Sequence, residues 1–218
     1  MEVRSLGIIM DGNRRWANAH GLKPWEGHKA GVEVFIESIK WLAETDVQDV
    51  AYYAFSSENW KRDPKEVSAL LELCQDLVTK RKEELLEQNV RVRFIGNLKK
   101  LPRSLRTSIR QIEKESRHNT RTVWICMSYG GRDEIRHASR RVIPFFTRKF
   151  DKYLWSRDLP DIDVVIRTGG NKRLSNFLLW KVAYAELLFI DTLWPDLTKD
   201  ELLSLVNSQK TVEKNLGA

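Results

Sequence analysis

The chain has 218 residues, 42% of them hydrophobic, with 37 Lys and Arg against 30 Asp and Glu, a formal net charge of +7. That length suits one domain with a substantial core; no stretch approaches the roughly 18 consecutive apolar residues of a membrane span, and the few residues before the first apolar run leave no room for a signal peptide, so a cytoplasmic location is expected. Two cysteines, Cys74 and Cys126, lack metal or redox spacing, while the positive charge predicts anionic company: nucleic acid, an acidic lipid surface or phosphorylated small molecules.

Leu6–Met10 reads as a buried parallel strand, followed by Asp11-Gly12-Asn13-Arg14-Arg15-Trp16, in which a helix begins at Asn13. The unpaired N–H groups and positive dipole end of such a helix face an anion. Gly12 lets the backbone come close, Asp11 at the strand's carboxyl end can hold a divalent metal, and Arg14 and Arg15 can neutralise phosphate oxygens. Taken alone, the stretch is equally an ordinary strand–helix corner with solvated arginines. In the next helix Ala30, Val34, Phe35, Ile39 and Leu42 form one apolar stripe. Val50–Phe55 is the second strand, and Ser56-Ser57-Glu58-Asn59-Trp60-Lys61-Arg62 follows it. Pro64 opens another helix, whose broad apolar face of Val67, Leu70, Leu71, Cys74, Leu77 and Val78 is either core or the wall of a greasy channel.

Val90–Ile95 and Val123–Met127 are the third and fourth strands, the latter leading into Ser128-Tyr129-Gly130-Gly131-Arg132. The fifth, Val164–Ile166, runs into Arg167-Thr168-Gly169-Gly170-Asn171-Lys172-Arg173-Leu174-Ser175-Asn176, and Leu187–Ile190 is the sixth. Strands alternating with helices predict a single α/β domain over residues 1–218 with a six-stranded, mainly parallel sheet flanked by helices. Ligands of such sheets sit beyond the strands' carboxyl ends, where four loops here share arginines, glycines, hydroxyls and amides, an inventory for two phosphate groups.

These segments resemble the cis-prenyltransferases, typified by undecaprenyl diphosphate synthase. The matching stretches are IMDGNRRWA (9–17), EGHKAG (26–31), YAFSSENWKR (53–62), SYGGRDEI (128–135), IRTGGNKRLSNFLLW (166–180) and AYAELLFIDTLWPD (183–196), in the expected order. The resemblance implies a parallel α/β fold, not the helical bundle of trans-prenyltransferases, whose DDxxD motif is absent. It also implies condensation of isopentenyl diphosphate with an allylic diphosphate, such as farnesyl or geranylgeranyl diphosphate, to a (Z)-polyprenyl diphosphate with release of pyrophosphate. Magnesium (Mg2+) and a homodimer come with it; the basic clusters leave room for peripheral membrane contact, and no nucleic-acid motif with interleaved stacking aromatics occurs.

Carried over by position, Asp11 is catalytic and binds magnesium, with Glu186 as the second acidic residue of the metal site. Gly12, Asn13, Arg14, Arg15, His28 and Arg62 hold the allylic diphosphate; Ser56, Trp60, Arg167, Arg173 and Ser175 hold isopentenyl diphosphate. Asn59 orients the latter and assists proton removal; an amide is a poor base, so pyrophosphate oxygen or water is the final acceptor. Ala54 and Met127 belong to the product tunnel, and Arg62 with Glu66 to a segment that closes over substrate, or else to a helix-start charge pair. The chain departs from the family pattern at Lys23-Pro24, where an arginine is usual; at Asn171, where glutamate is common; and at Asn215-Leu216-Gly217, in place of Arg-x-Gly. Bulky Met127 points to short or medium products. Asp11→Ala is expected to abolish condensation and leave the fold intact. Competing readings are a partner-dependent subunit, a nucleic-acid binder and irregular coupling of two allylic diphosphates.

Overall fold

A computed structural model describes residues 2–142 and 150–209. Strands β1 (Ser5–Ile9), β2 (Asp49–Ser56), β3 (Val90–Ile95), β4 (Arg121–Tyr129), β5 (Val164–Arg167) and β6 (Glu186–Phe189) form one six-stranded sheet in the order β3-β4-β2-β1-β5-β6. Every pairing is parallel, so the expected mainly parallel sheet is wholly so. All residues of β1 and β5 are buried, because helices cover both faces; a strand buried on two sides reads as an apolar run with no alternation. One core layer gathers Leu6, Ile8, Phe35, Tyr52 and Ile166, and the other gathers Ile9, Ala51, Trp124, Val165 and Phe177.

The helices are α1 (Asn13–Ala19), α2 (Pro24–Leu42), α3 (Pro64–Thr79), α4 (Lys82–Leu86), α5 (Arg103–Glu115), α6 (Gly131–Ser139) and α7 (Lys199–Ser208). Helices α2 and α3 both start on a proline, whose fixed φ and missing N–H suit the first turn. The glycines of the EGHKAG stretch have a packing reason. A Cβ at Gly27 would collide with the Asn13 carbonyl, and one at Gly31 with the Asn13 side chain. One glycine face of α2 therefore admits the first turn of α1 and fixes where that turn's N–H groups point.

From β1 the chain builds outward through β2 to β3 and β4, then crosses to the other side of β1 for β5 and β6. The order reverses between β1 and β5, and in open α/β sheets the crevice beyond the carboxyl ends at such a reversal is the ligand site. Residues 11 and 167 emerge there side by side, since Ile9 pairs with Arg167.

Candidate active site

Asp11 is held by its backbone and its carboxylate at once. Its N–H donates to Thr168 Oγ1 at 2.9 Å, and its carbonyl accepts from Thr168 Oγ1 at 2.6 Å and from the Trp194 N–H at 3.0 Å. Its Oδ2 accepts from Arg167 Nη2 and from Asn171 Nδ2, each at 2.8 Å, and its Oδ1 from Arg15 Nη2 at 3.3 Å. Burial alone would raise the carboxyl's pKa, but the bonds from Arg167 and Asn171 and the charges of Arg167 and Arg15 outweigh it and hold it below 3.8. Asp11 is therefore an ionised, organised carboxylate at the crevice. Gly169 and Gly170 take left-handed φ values of 78° and 73°, which turn Asn171 back onto it.

A cavity of about 700 Å³ opens from this point. Its polar mouth carries Asp11, Asn13, Arg15, His28, Ser56, Glu58, Asn59, Arg62, Asn171, Arg173, Ser175 and Asn176. Its interior is apolar, lined by Val32, Phe35, Ala54, Leu70, Leu73, Cys74, Leu77, Ile125, Met127 and Trp194. The stripe on α3 thus does both things its periodicity allowed: Leu70, Cys74 and Leu77, joined by Leu73 from outside the stripe, face the channel, and Val78 packs in the core. Burial pushes the Cys74 thiol up to about 12, so it stays a neutral apolar wall. Trp194 is fixed as another wall by donating its Nε1–H to the Gly31 carbonyl at 2.8 Å.

Two local motifs shape the mouth. Ser56 Oγ accepts from the Asn59 N–H at 3.2 Å, while Asn59 Oδ1 accepts from the Ser56 N–H at 2.9 Å, a reciprocal cap at the end of β2. A backbone N–H can only donate, so this bond fixes the amide's orientation with its oxygen on Ser56 and leaves the NH2 group as the donor for a ligand. On the other side, nearly buried Glu66 accepts from Arg62 Nη1 at 2.9 Å and lies 3.6 Å from His28 Nε2 and 3.9 Å from Arg14 Nε. His28 Nε2 is buried without a hydrogen-bond partner. Burial first, and then the Arg62 charge, pulls the imidazole pKa down to about 4, so it is neutral at pH 7.

The structure brings together Asp11, Asn13, Arg15, His28, Ala54, Ser56, Asn59, Arg62, Met127, Arg167, Arg173 and Ser175 around this cavity. Gly12, Arg14 and Trp60 are not on its wall. Gly12, with φ 116°, makes the turn into α1 against Leu193, while Arg14 points toward Glu66. Trp60 donates to Ser128 Oγ at 2.9 Å and packs on Phe55, which makes it a brace behind the loop. Arg167 is almost wholly buried and faces inward; its Nη1 donates to the Arg173 carbonyl and, at 2.7 Å, to Ser175 Oγ. These bonds tie it to the rim, while its Nε has no hydrogen-bond partner and it lines the cavity wall. Glu186 opens β6 level with Val164, at the amino ends of the strands. It therefore stands on the order of 15 Å along the sheet from Asp11, and within one chain the two cannot share a cation.

Of the four rim loops, the one after β4 does not reach the cavity: its free N–H groups at Gly131 and Arg132 are taken by the Asn176 carbonyl at 2.7 Å and Asn176 Oδ1 at 2.8 Å. Thr168, Glu58 and Asn176 are structural members that motif matching did not single out, and Asn171, marked there only as a departure from the pattern, is a donor to Asp11. Lys23 opens α2 and lies over the Trp25 ring, away from the cavity wall. Asn215 lies outside the described residues.

A parallel sheet whose reversal crevice joins guanidinium and amide donors to a hydrocarbon-lined cavity belongs to a prenyltransferase, a protein that grips a diphosphate and threads an isoprenoid tail. The family model for putative undecaprenyl diphosphate synthase matches residues 9–217, and the chain belongs to that cis-prenyltransferase family. An isoprenyl transferase of Aquifex aeolicus is 38% identical over 97% of this chain and 94% of its own length. A trans,polycis-polyprenyl diphosphate synthase of Thermobifida fusca, (2Z,6E)-farnesyl diphosphate specific, is 42% identical over 88% of this chain and 73% of its own. Among solved structures, lavandulyl diphosphate synthase from Lavandula x intermedia in complex with dimethylallyl diphosphate superimposes with a TM-score of 0.92 at 27% identity, covering 99% of this chain and 98% of that one. A probable undecaprenyl diphosphate synthase from Campylobacter jejuni does so with 0.83 at 33% identity over the full length of both chains. The activity is therefore prenyl transfer building cis-polyprenyl diphosphates.

Proposed function

We propose that the chain condenses isopentenyl diphosphate with an allylic diphosphate, such as farnesyl or geranylgeranyl diphosphate, to give a short- or medium-chain (Z)-polyprenyl diphosphate and pyrophosphate. The observation that carries this is one continuous cavity that joins a donor-rich mouth to an apolar interior. The allylic diphosphate takes the mouth at Asn13, Arg15, His28 and Arg62, and its tail enters between α2 and α3. Isopentenyl diphosphate takes Arg173, Ser175 and the Asn59 NH2. Asn59 orients that substrate as a donor, which leaves proton acceptance to pyrophosphate oxygen or water. The guanidinium groups stabilise the departing pyrophosphate, and the apolar interior keeps water from the allylic cation.

Magnesium is part of the proposal. A diphosphate-shared magnesium needs only one or two protein carboxylates, and Asp11, ionised and about a quarter exposed at the mouth, supplies one. When bound, the ion would supply additional neutralisation of diphosphate charge. Bulky Phe35, Ile125, Met127 and Trp194 in the cavity wall support limited product length. The proposal includes a cytoplasmic homodimer with peripheral membrane contact, which sedimentation and vesicle flotation test. Among the described residues, no helix is long and apolar enough to cross a membrane.

The test is to incubate the purified chain alone with farnesyl diphosphate, labelled isopentenyl diphosphate and magnesium, and to size the products. Short or medium (Z)-chains are expected; dominant long chains would refute the length assignment, and no product would refute autonomous catalysis. The likeness to lavandulyl diphosphate synthase favours one second reading, coupling of two allylic diphosphates, which predicts product when isopentenyl diphosphate is omitted.

A further inference from the structure

Residues 173–176 do not form regular structure, yet their conformation is closely specified. Ser175 and Asn176 both have left-handed backbones, with φ of 49° and 67°. Asparagine tolerates that region better than most residues. Below the segment, Arg167 bonds the Arg173 carbonyl and Ser175 Oγ; behind it, Tyr53 OH donates to the Ser175 carbonyl at 3.3 Å. Asn176 closes the third side. Its carbonyl and Oδ1 take the first N–H groups of α6, an external cap for a helix whose own Ncap residue, Gly130, has no side chain to offer. Its Nδ2 donates to Glu58 Oε1 at 3.0 Å. Gly130 is part of the same joint, because a Cβ there would lie 2.7 Å from Asn176 Nδ2 and 2.5 Å from Ser57 Oγ.

We propose that Asn176 is a positioning residue that locks the Arg173–Ser175 segment and the Glu58 loop to α6, and thereby sets the affinity for isopentenyl diphosphate. Its carbonyl and Oδ1 are spent on α6 and its Nδ2 on the Glu58 loop, so the residue works as a joint and not as a ligand. Without it, Arg173 and Ser175 lose one of their three anchors, and Glu58, next to Asn59, loses one of the two donors on its carboxylate, the other being Ser57 Oγ. The allylic mouth at Asn13, His28 and Arg62 shares none of these bonds. The inference rests on the reading that Arg173 and Ser175 meet isopentenyl diphosphate.

Asn176→Asp separates the joint from simple helix capping. An aspartate still accepts from the Arg132 N–H, and its charge suits a helix N-terminus, so α6 stays capped. It no longer donates to Glu58 and instead sets two carboxylates against each other. Steady-state kinetics with each substrate varied, together with thermal melts, give the readout. The expected result for Asn176→Asp is a KM for isopentenyl diphosphate raised about tenfold or more, as for loss of a hydrogen bond to a charged group. The allylic KM and melting temperature should stay near the natural values. Adding Glu58→Gln restores the pair with donor and acceptor exchanged and should recover most of the lost affinity. A natural KM in Asn176→Asp, or no recovery in the double variant, overturns the proposal. An Arg173→Ala control with unchanged isopentenyl diphosphate KM overturns the substrate assignment of this rim instead, while the double-variant coupling is read independently of it.

Discussion

Asp11→Ala is the most informative perturbation, and the structure changes what it should do. Arg167 is 4% exposed and Asp11 27% exposed, and their ion pair is 2.8 Å long. Removing one member of a buried pair costs about 3–5 kcal/mol, because the other charge is left without compensation. With Asp11 partly open to solvent, the lower end applies, about 3 kcal/mol. In a domain of this size each kcal/mol moves Tm by roughly 2–4 °C, so a fall of about 6–12 °C is expected beside the loss of condensation. The fold is expected to stay intact but to be less stable. The assay is thermal unfolding followed by circular dichroism, run with Asp11→Ala, Arg167→Met and the double variant. The double variant should regain much of the stability while remaining inactive, since no stranded charge is left. A Tm within 2 °C of the natural chain for Asp11→Ala, or a double variant whose losses simply add, would refute the reasoning.

Three further outcomes follow from the mouth and interior of the cavity. His28 has a folded-state pKa of about 4, below the 6.5 of the unfolded chain, so between these values the unfolded state binds the extra proton; stability should fall as pH drops from about 6.5 toward 4. Urea unfolding at several pH values should show a shallower fall in His28→Gln, and an unchanged pH slope would remove His28 as the cause. Asn59→Asp keeps an acceptor for the Ser56 N–H but turns the ligand-facing donor into an acceptor, so kcat/KM for isopentenyl diphosphate should drop at least about tenfold with Tm preserved. Natural turnover in that variant would sink the donor role. Met127→Ala, at a position 2% exposed on the cavity wall, should lengthen the main product by at least one isoprene unit and cost about 2–5 kcal/mol of stability; an unchanged product distribution would show that Met127 does not bound the chain.

The buried strands were legible because apolar runs of four to nine residues between turn-rich loops have few other uses in a two-layered sheet. The site's location followed from the same pattern, since chemistry-bearing loops came after strands. Glu186 shows that rule neglected: it precedes the last strand, so its place at the amino end was readable from order alone. Other features were not readable. Whether Arg167 turns its guanidinium outward to a phosphate or inward to Asp11 depends on side-chain packing between strands far apart in sequence. The Asn59 oxygen is fixed by a backbone N–H three residues earlier, a detail of turn geometry. The loop after β4 looked like an anion cradle, with its glycines and a following helix, because nothing local discloses that Asn176, over forty residues downstream, fills it. Periodicity on α3 could not distinguish a core face from a channel wall, since both demand the same apolar stripe.

That stripe has a thermodynamic consequence. A helix normally gains its stability by sealing its apolar side against protein, but Leu70, Leu73, Cys74 and Leu77 look partly into a cavity. The missing layer of packing is one that an isoprenoid tail completes, so substrate and product act as transient core. A ligand that binds only the folded chain stabilises it by mass action, and each added methylene buried contributes about 0.8 kcal/mol. The melting temperature should therefore climb with the tail length of a bound prenyl diphosphate and level off when the cavity is full, making the protein's own stability a ruler for the longest chain it can hold.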